Sequence, residues 1–192
     1  MNVPPIRFPE LRTPRFLLRR IAPADAEAVF LGLSDPKVIQ HYGVSYQTPE
    51  EAQFQMRWFE DLLAQGTGIW WAICEPSSPS TLIGATGLND VCAKHLRGEL
   101  GYWLLPDHWG RGAARECVAA VLGHAFGVMK LHRVAAEVDI DNHRSIALLA
   151  RLGFQFEGIR RGCELKDGRY LDLRVYSRLA TDPAPARPPG LP

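Results

Sequence analysis

The stretch that decides the fold is residues 99–126, "ELGYWLLPDHWGRGAARECVAAVLGHAF". An apolar run stops at Pro106, a turn rich in glycine and arginine follows, and a helical pattern starts near Gly112. Ala114, Val118, Val121, Leu122, Ala125 and Phe126 fall near one helical face. No Ser, Thr, Asn or Asp sits at the start of this predicted helix. Its first four amide donors therefore lack a side-chain acceptor. A phosphate or pyrophosphate would supply one, and the helix dipole favours it. Gly110 and Gly112 carry no Cβ, so such a group can approach the backbone, and Arg111 and Arg115 add charge. A solvent-exposed turn whose donors meet water is the plainer alternative. Two other phosphate loops are excluded. No GxxxxGK[ST] string occurs in the chain, and "GRGAAR" places Arg115 where a dinucleotide fingerprint needs its last glycine.

Gly101 interrupts the bulky strand just before the turn. Glycine inside a strand marks a bulge or a close backbone approach. A bulge here is expected to splay this strand from its parallel neighbour "HRVAAEV" (132–138). Unpaired amides and carbonyls would then open at the centre of the sheet, where an extended ligand with amide groups can add itself like a short strand. A ligand with amides at one end and a pyrophosphate at the other describes coenzyme A.

The remaining chain supports that architecture. "RFLLRRI" (15–21) reads as a first strand and "PADAEAVFLGLSD" (23–35) as a helix. "TPEEAQFQMRWFEDLLAQG" (48–66) is a second helix, with Thr48 as cap, Pro49 at its first position, Glu51 completing a capping box and Gly66 past its end. "IWWAICE", "TLIGATGLND" and "RGELGYWLL" are three strands, the first two forming a hairpin. "NHRSIALLARLG" is a helix, and "FQFEGIRRGCEL" and "RYLDLRVYSRL" are two strands joined across "KDG". The central strand–helix–strand crossover should be parallel and right-handed. The expected fold is α/β (α+β): a mixed, mostly antiparallel sheet of about seven strands, splayed at two central parallel strands, with helices on both faces.

With 192 residues, 46% of them hydrophobic, the chain suits one globular domain. We place it at 11–180, with flexible ends at 1–10 and 181–192, the latter rich in proline. A net charge of +1 disfavours nucleic acid as a partner. Cys74, Cys92, Cys117 and Cys163 form no CxxC pair and have no His at zinc-ligand spacing, so no metal is expected. Without a signal-like apolar stretch or a run of ~18 apolar residues, the expectation is a cytoplasmic protein with no membrane contact. Oligomeric state is not written in the sequence, and a homodimer is compatible with it.

"GYWLLPDHWGRGAARE", then "VDIDNHRSIALLARLGFQFEG", then "RYLDLRVYSRL" resemble the GNAT acetyltransferases, most of all the RimJ/RimL type that acetylates N-terminal amines of ribosomal proteins. The opening "LRTPRFLLRRIAPADAEAV" is similar to the same branch. The resemblance runs over about residues 11–180, in order and with natural spacing. The family's pyrophosphate loop, Q/R-x-x-G-x-G/A, falls on Trp109, Gly110, Arg111, Gly112, Ala113 and Ala114, with Trp109 departing from the Q/R position. The resemblance implies acetyl-CoA as cosubstrate, bound by these residues together with Leu104, Leu105, Arg115, Asn142 and Ser145.

The implied reaction is attack of a primary amine on a thioester. The amine must be neutral. An α-amino group, with a pKa of about 7.7–8, needs only a modest base, whereas a lysine amine at about 10.4 needs more. Asn142 and Ser145 lie three apart and read first as a helix cap and first-turn residue. The resemblance implies that Asn142 contacts the pantetheine arm and that Ser145 donates to the leaving thiolate. Other family members use a tyrosine further along this helix, but "ALLARLG" holds none. Glu164, beside Lys166 and several arginines, reads equally as a solvated carboxylate; the resemblance makes it the base. Glu99, two residues before Gly101, competes for that role, with a cross-strand ion pair as its plainer reading. Trp70 and Trp71 must point to opposite faces, one into the core and one towards a substrate groove. His41 and Tyr42 lie in a loop where this family shapes its acceptor pocket. Three functions remain open: transfer to a protein α-amine, transfer to a small amine (antibiotic, polyamine or amino acid), and a non-catalytic acyl-CoA sensor.

Overall fold

The computed structural model describes residues 8–166 and 168–183. Eight strands form one sheet: β1 (Leu11–Arg12), β2 (Leu17–Arg20), β3 (Ile69–Cys74), β4 (Gly84–Cys92), β5 (Arg97–Leu104), β6 (Arg133–Asp139), β7 (Gln155–Lys166) and β8 (Arg169–Leu179). Their spatial order is β1-β2-β3-β4-β5-β6-β8-β7. Among the described residues five helices accompany them: α1 (Ala26–Ser34), α2 (Pro36–Ile39), α3 (Pro49–Gln65), α4 (Ala113–Gly127) and α5 (His143–Arg151). The two-residue β1 and the single-turn α2 are too short to leave a periodic signal, and the expected helix at 23–35 begins with a separate 3-10 turn at Pro23–Asp25. Most of both expected loose ends lies outside the described residues. Phe8 and Pro9 pack inward: the Phe8 ring stands 5.7 Å from that of Trp71, and Trp71 Nε1 donates to the Pro9 carbonyl at 2.7 Å.

Local chemistry sets the helix ends. Thr48 Oγ1 accepts from the Glu51 amide at 3.2 Å, and Gly66 closes α3 at φ 67°. The Glu51 carboxylate reaches back one residue further than a capping box requires, to the Gln47 amide at 2.7 Å.

The sheet divides the core into two layers. On one face, Leu18, Trp71, Leu88 and Leu100 pack beneath Cys117, Val118, Val121 and Leu122 of α4 and Leu149 of α5. On the other, Trp70, Ala72, Ala85 and Trp103 meet Val29 and Leu33 of α1 and Met56 and Phe59 of α3. Trp70 and Trp71 do take opposite faces, but both are buried. The expected groove-lining tryptophan is instead roofed by Trp58 and Phe59, at ring distances of 5.6 and 5.4 Å.

β5 and β6 are the parallel pair, and they pair only at Arg97↔Arg133, Gly98↔Val134 and Glu99↔Ala135. Beyond that point β5 stays with β4 up to Gly84↔Leu104, and β6 stays with β8 up to Asp139↔Leu173. The central strands therefore part after Glu99 and Ala135. Parallel pairing is the weaker kind per residue, so each strand keeps its antiparallel neighbour where it cannot keep both.

Gly101 does not cause the parting. The β4–β5 register is unbroken from Gly84↔Leu104 to Asn89↔Glu99, with Gly101 opposite Gly87; the irregularity lies further on, between Asn89 and Cys92. Gly101 is glycine because of Trp70: a Cβ there would stand 2.5 Å from the ring atoms Cη2 and Cζ2, and one on Gly87 would stand 2.4 Å from Cγ. The indole lies across both glycines. Gly101→Ala should therefore destabilise the protein by roughly 1–3 kcal/mol through overpacking, read as a lowered midpoint in urea unfolding. Trp70→Leu in the same chain should remove most of that penalty. An equal cost with and without the indole would disprove this account.

Candidate active site

β5 ends at Leu104, and a 3-10 turn at Pro106–His108 leads into the loop before α4. Trp109 Nε1 donates to the Leu104 carbonyl at 2.8 Å and closes the loop on the strand end, while the Arg144 guanidinium of α5 stands 5.3 Å from the Trp109 ring centre. Gly110 and Gly112 both adopt φ 75°, the left-handed conformation that glycine tolerates best. A Cβ on Gly110 would touch nothing within 4 Å, so glycine supplies conformation here rather than room. Gly112 is the N-cap of α4, and no side chain caps it. Arg15 braces the loop from outside: its Nη1 donates to the Arg111 carbonyl at 2.9 Å and its Nε to Glu116 Oε2 at 2.7 Å. Burial alone would push the Glu116 carboxyl up, but hydrogen bonds from Thr13 and Arg15 outweigh it and hold the group below its ordinary value. Glu116 is thus neutralised by Arg15, and exposed Arg111, half-buried Arg115 and the uncapped amides give the loop its positive character. Ala113 is buried, Ala114 half-buried. Leu104 is a core residue, and the Leu105 amide is engaged by the Ile83 carbonyl at 3.0 Å. Arg15, His108, Arg111 and Ala113 line a cavity of about 130 Å³ beside the loop.

Asn142 is the N-cap of α5, its Oδ1 accepting from the Ser145 amide at 3.1 Å. The carboxamide NH₂ is a further pair of donors on the same side chain, so capping and ligand contact are compatible. Ser145 Oγ hydrogen-bonds the hydroxyl of Tyr102, on the stretch of β5 that has left β6. Sequence reasoning missed Tyr102. The signal lies in strand alternation, which sends Leu100, Tyr102 and Leu104 to the α4–α5 face, and not in the helix after Asn142, where the resemblance places a tyrosine.

Glu99, Gly101 and Trp103 alternate onto the opposite face, where Glu137 and Asp139 of β6 also point. Glu99 is half-buried, and burial first, then Glu137 and Asp90, push its carboxyl above the ordinary value. Glu137 is paired with Arg160. His41 Nδ1 lies 2.7 Å from Asp139 Oδ2. Burial pushes Asp139 up, but the Asp141 amide and His41 outweigh it and hold the carboxyl below its ordinary value. Glu164 lies half-buried on β7 against the same loop as His41: a Cβ on Gly43 would stand 3.1 Å from its Oε1. Lys166 Nζ donates to the carbonyls of Ile39, of Gln40 at 3.2 Å and of Tyr42 at 2.9 Å. The loop after α2 is thus fastened to β6 and β7. Glu99 and Glu164 share this face but stand in separate groups, one with Asn89 and Glu137, the other with the loop at residues 41–43.

An uncapped helix behind two left-handed glycines, set beside a parted pair of strands, fits a diphosphate with an amide-bearing arm. Residues 15–155 match the acetyltransferase (GNAT) domain family. This chain belongs to the GNAT acetyltransferases. As such it is an acetyl-CoA-dependent N-acetyltransferase. It is 37% identical over 171 residues to the uncharacterized N-acetyltransferase YoaA of Bacillus subtilis strain 168, covering 88% of this chain and 96% of that one. It is 27% identical over 148 residues to the [ribosomal protein uS5]-alanine N-acetyltransferase of Escherichia coli K12, covering 74% of each. It is 30% identical over 96 residues to the spermidine N(1)-acetyltransferase of Vibrio cholerae, covering 50% of this chain and 56% of that enzyme. The crystal structure of a GNAT-family acetyltransferase from Bacillus anthracis shares the fold at TM-score 0.79 and 23% identity, covering 91% of this chain and 100% of that one. Among the described residues of this GNAT chain, no helix is long and apolar enough to cross a membrane.

Two outcomes follow for this acetyltransferase. Gly110→Ala imposes a left-handed conformation that costs an L-residue roughly 1–2 kcal/mol, so the KM for acetyl-CoA should rise several-fold with kcat little changed in steady-state kinetics. The raised carboxyl of Glu99 means that the folded state favours its protonated form. Its penalty on stability is absent below about pH 4, where the group is protonated folded and unfolded alike, and grows as pH rises through the higher folded value. Glu99→Gln should therefore stabilise the fold at pH 8 and match the parent at pH 4 in urea melts.

Proposed function

We propose that the acceptor is the N-terminal α-amine of a protein, as in the RimJ/RimL branch, and that the amine attacks the thioester directly in a ternary complex. The observation that carries this reading is Glu99. Its carboxyl sits at the last paired position before the strands part, with a proton affinity raised by burial and by Glu137. A carboxylate so tuned matches an α-amine, whose ordinary pKa of about 7.7–8 leaves a useful neutral fraction, better than a lysine side chain. The 27% relative named for a ribosomal-protein alanine spans more of the chain than the spermidine relative does, in support of the same reading.

In this reading the amides at residues 110–115 hold the diphosphate, with Arg111 and Arg115 adding charge. The strand end at Leu104 and Leu105 and the Asn142 carboxamide hold the pantetheine arm. Glu99 takes the proton from the amine, Glu164 holds the acceptor against the loop at residues 41–43, and Ser145 donates a hydrogen bond to the departing thiolate. A free amide on the parted strand is the donor for the developing oxyanion. A second reading, a polyamine or other small amine, is favoured by the grouping of Glu99, Glu137 and Asp90.

Thiol release from acetyl-CoA, measured with a panel of peptides bearing free N-termini, N-blocked lysine peptides and polyamines, tests this. Free α-amines should turn over fastest, and Glu99→Gln should lower kcat about a hundredfold or more, the range for losing a general base. Faster turnover of spermidine than of every peptide overturns the α-amine reading; no turnover with any amine overturns catalysis and leaves an acyl-CoA sensor.

A further inference from the structure

The hydroxyls of Tyr102 on β5 and Ser145 on α5 share one hydrogen bond that either oxygen can donate. We infer that Tyr102 is a positioning residue for the leaving group: its hydroxyl donates to Ser145 Oγ and so frees the serine's own hydrogen to point at the coenzyme A sulfur. This rests on the proposed role of Ser145 and extends it to a residue on the opposite wall of the gap.

Three observations place Tyr102 there. It belongs to the portion of β5 that pairs with Thr86 on β4 and no longer with β6. That portion is held firmly, because the fully buried Thr86 donates from Oγ1 to the Gly101 carbonyl at 3.0 Å. Across the gap, Ser145 is fixed at its amide by Asn142 and at its hydroxyl by Tyr102. A hydroxyl has one hydrogen and two acceptor lone pairs. When the phenol spends its hydrogen on the serine oxygen, the serine hydrogen is left for a third atom, and accepting one bond strengthens the bond it donates.

Magnitudes separate this role from that of a proton donor. Burial pushes the Tyr102 hydroxyl up to about 12. A thiol loses its proton near 8.5, so transfer from this phenol to the thiolate runs roughly a thousandfold uphill. Tyr102 therefore keeps its proton and acts through orientation. The nitrogen–carbon bond forms, the carbon–sulfur bond breaks with its electron pair on sulfur, the amine proton goes to Glu99, and the thiolate takes a proton from solvent. Neither hydroxyl is consumed.

A double-mutant cycle on the full chain tests the assignment. Tyr102→Phe keeps the ring in place and removes only the oxygen. It should lower kcat about ten- to hundredfold, the range for one hydrogen bond supporting a charge, with the KM for acetyl-CoA within about twofold and the melting temperature close to the parent's. Ser145→Ala should lower kcat comparably, and adding Tyr102→Phe to it should change nothing further. Ser145→Thr, which retains a hydroxyl, should restore sensitivity to Tyr102→Phe. Equal losses from Tyr102→Phe with and without the serine hydroxyl, or an unchanged kcat, overturn the inference. If the parent turns over amines and Tyr102→Phe matches it, only this inference fails; if the parent releases no thiol, the proposed reaction fails and takes the inference with it.

Discussion

The separation of β5 from β6 after Glu99 and Ala135 is the constraint on which the rest of the structure depends. A parallel pair at the centre of a sheet normally satisfies its backbone along its whole length. Here each strand keeps only its antiparallel partner, and the facing edges carry amides and carbonyls that a bound chain of amides can meet. The opening is stable because nothing else is given up. β4 and β8 hold the outer edges in register to the strand ends, and Trp70, laid over Gly87 and Gly101, fills the face above without prising β4 and β5 apart.

Strand alternation then assigns chemistry to sides. Tyr102 points towards α5 and meets Ser145. Glu99 points the other way, beside Glu137 and Asp90. A single eight-residue strand thus supplies side chains to both faces of the sheet, the two sides from which the proposed reaction brings donor and acceptor. The loop before α4 follows the end of that strand, so the proposed diphosphate anchor and the proposed reacting centre are joined by the stretch Glu99–Leu104.

Much of this was legible in the residues. The uncapped, glycine-bearing start of α4 is readable because its signals are local: a missing cap and two positions without a Cβ. The strand–helix–strand crossover and the helix at 49–65 follow from periodicity and caps in the same way. What the residues concealed depends on contacts between distant segments. Gly101 reads as a bulge because a lone strand glycine usually marks one, while its true reason is an indole on another strand. One of Trp70 and Trp71 reads as lining a groove because nothing local reveals the roof that Trp58 and Phe59 make over Trp70. Tyr102 and Ser145 are 43 positions apart, and only the topology of the crossover makes them neighbours.

The Lys166 ammonium grips backbone oxygens of residues 39, 40 and 42 and none of their side chains. Every amino acid brings an identical carbonyl, so the fastening is indifferent to what occupies those positions. The loop facing Glu164 is in that sense a fixed rail with interchangeable fittings. Exchanging the side chains at positions 39, 40 and 42 therefore leaves the acceptors of this fastening in place.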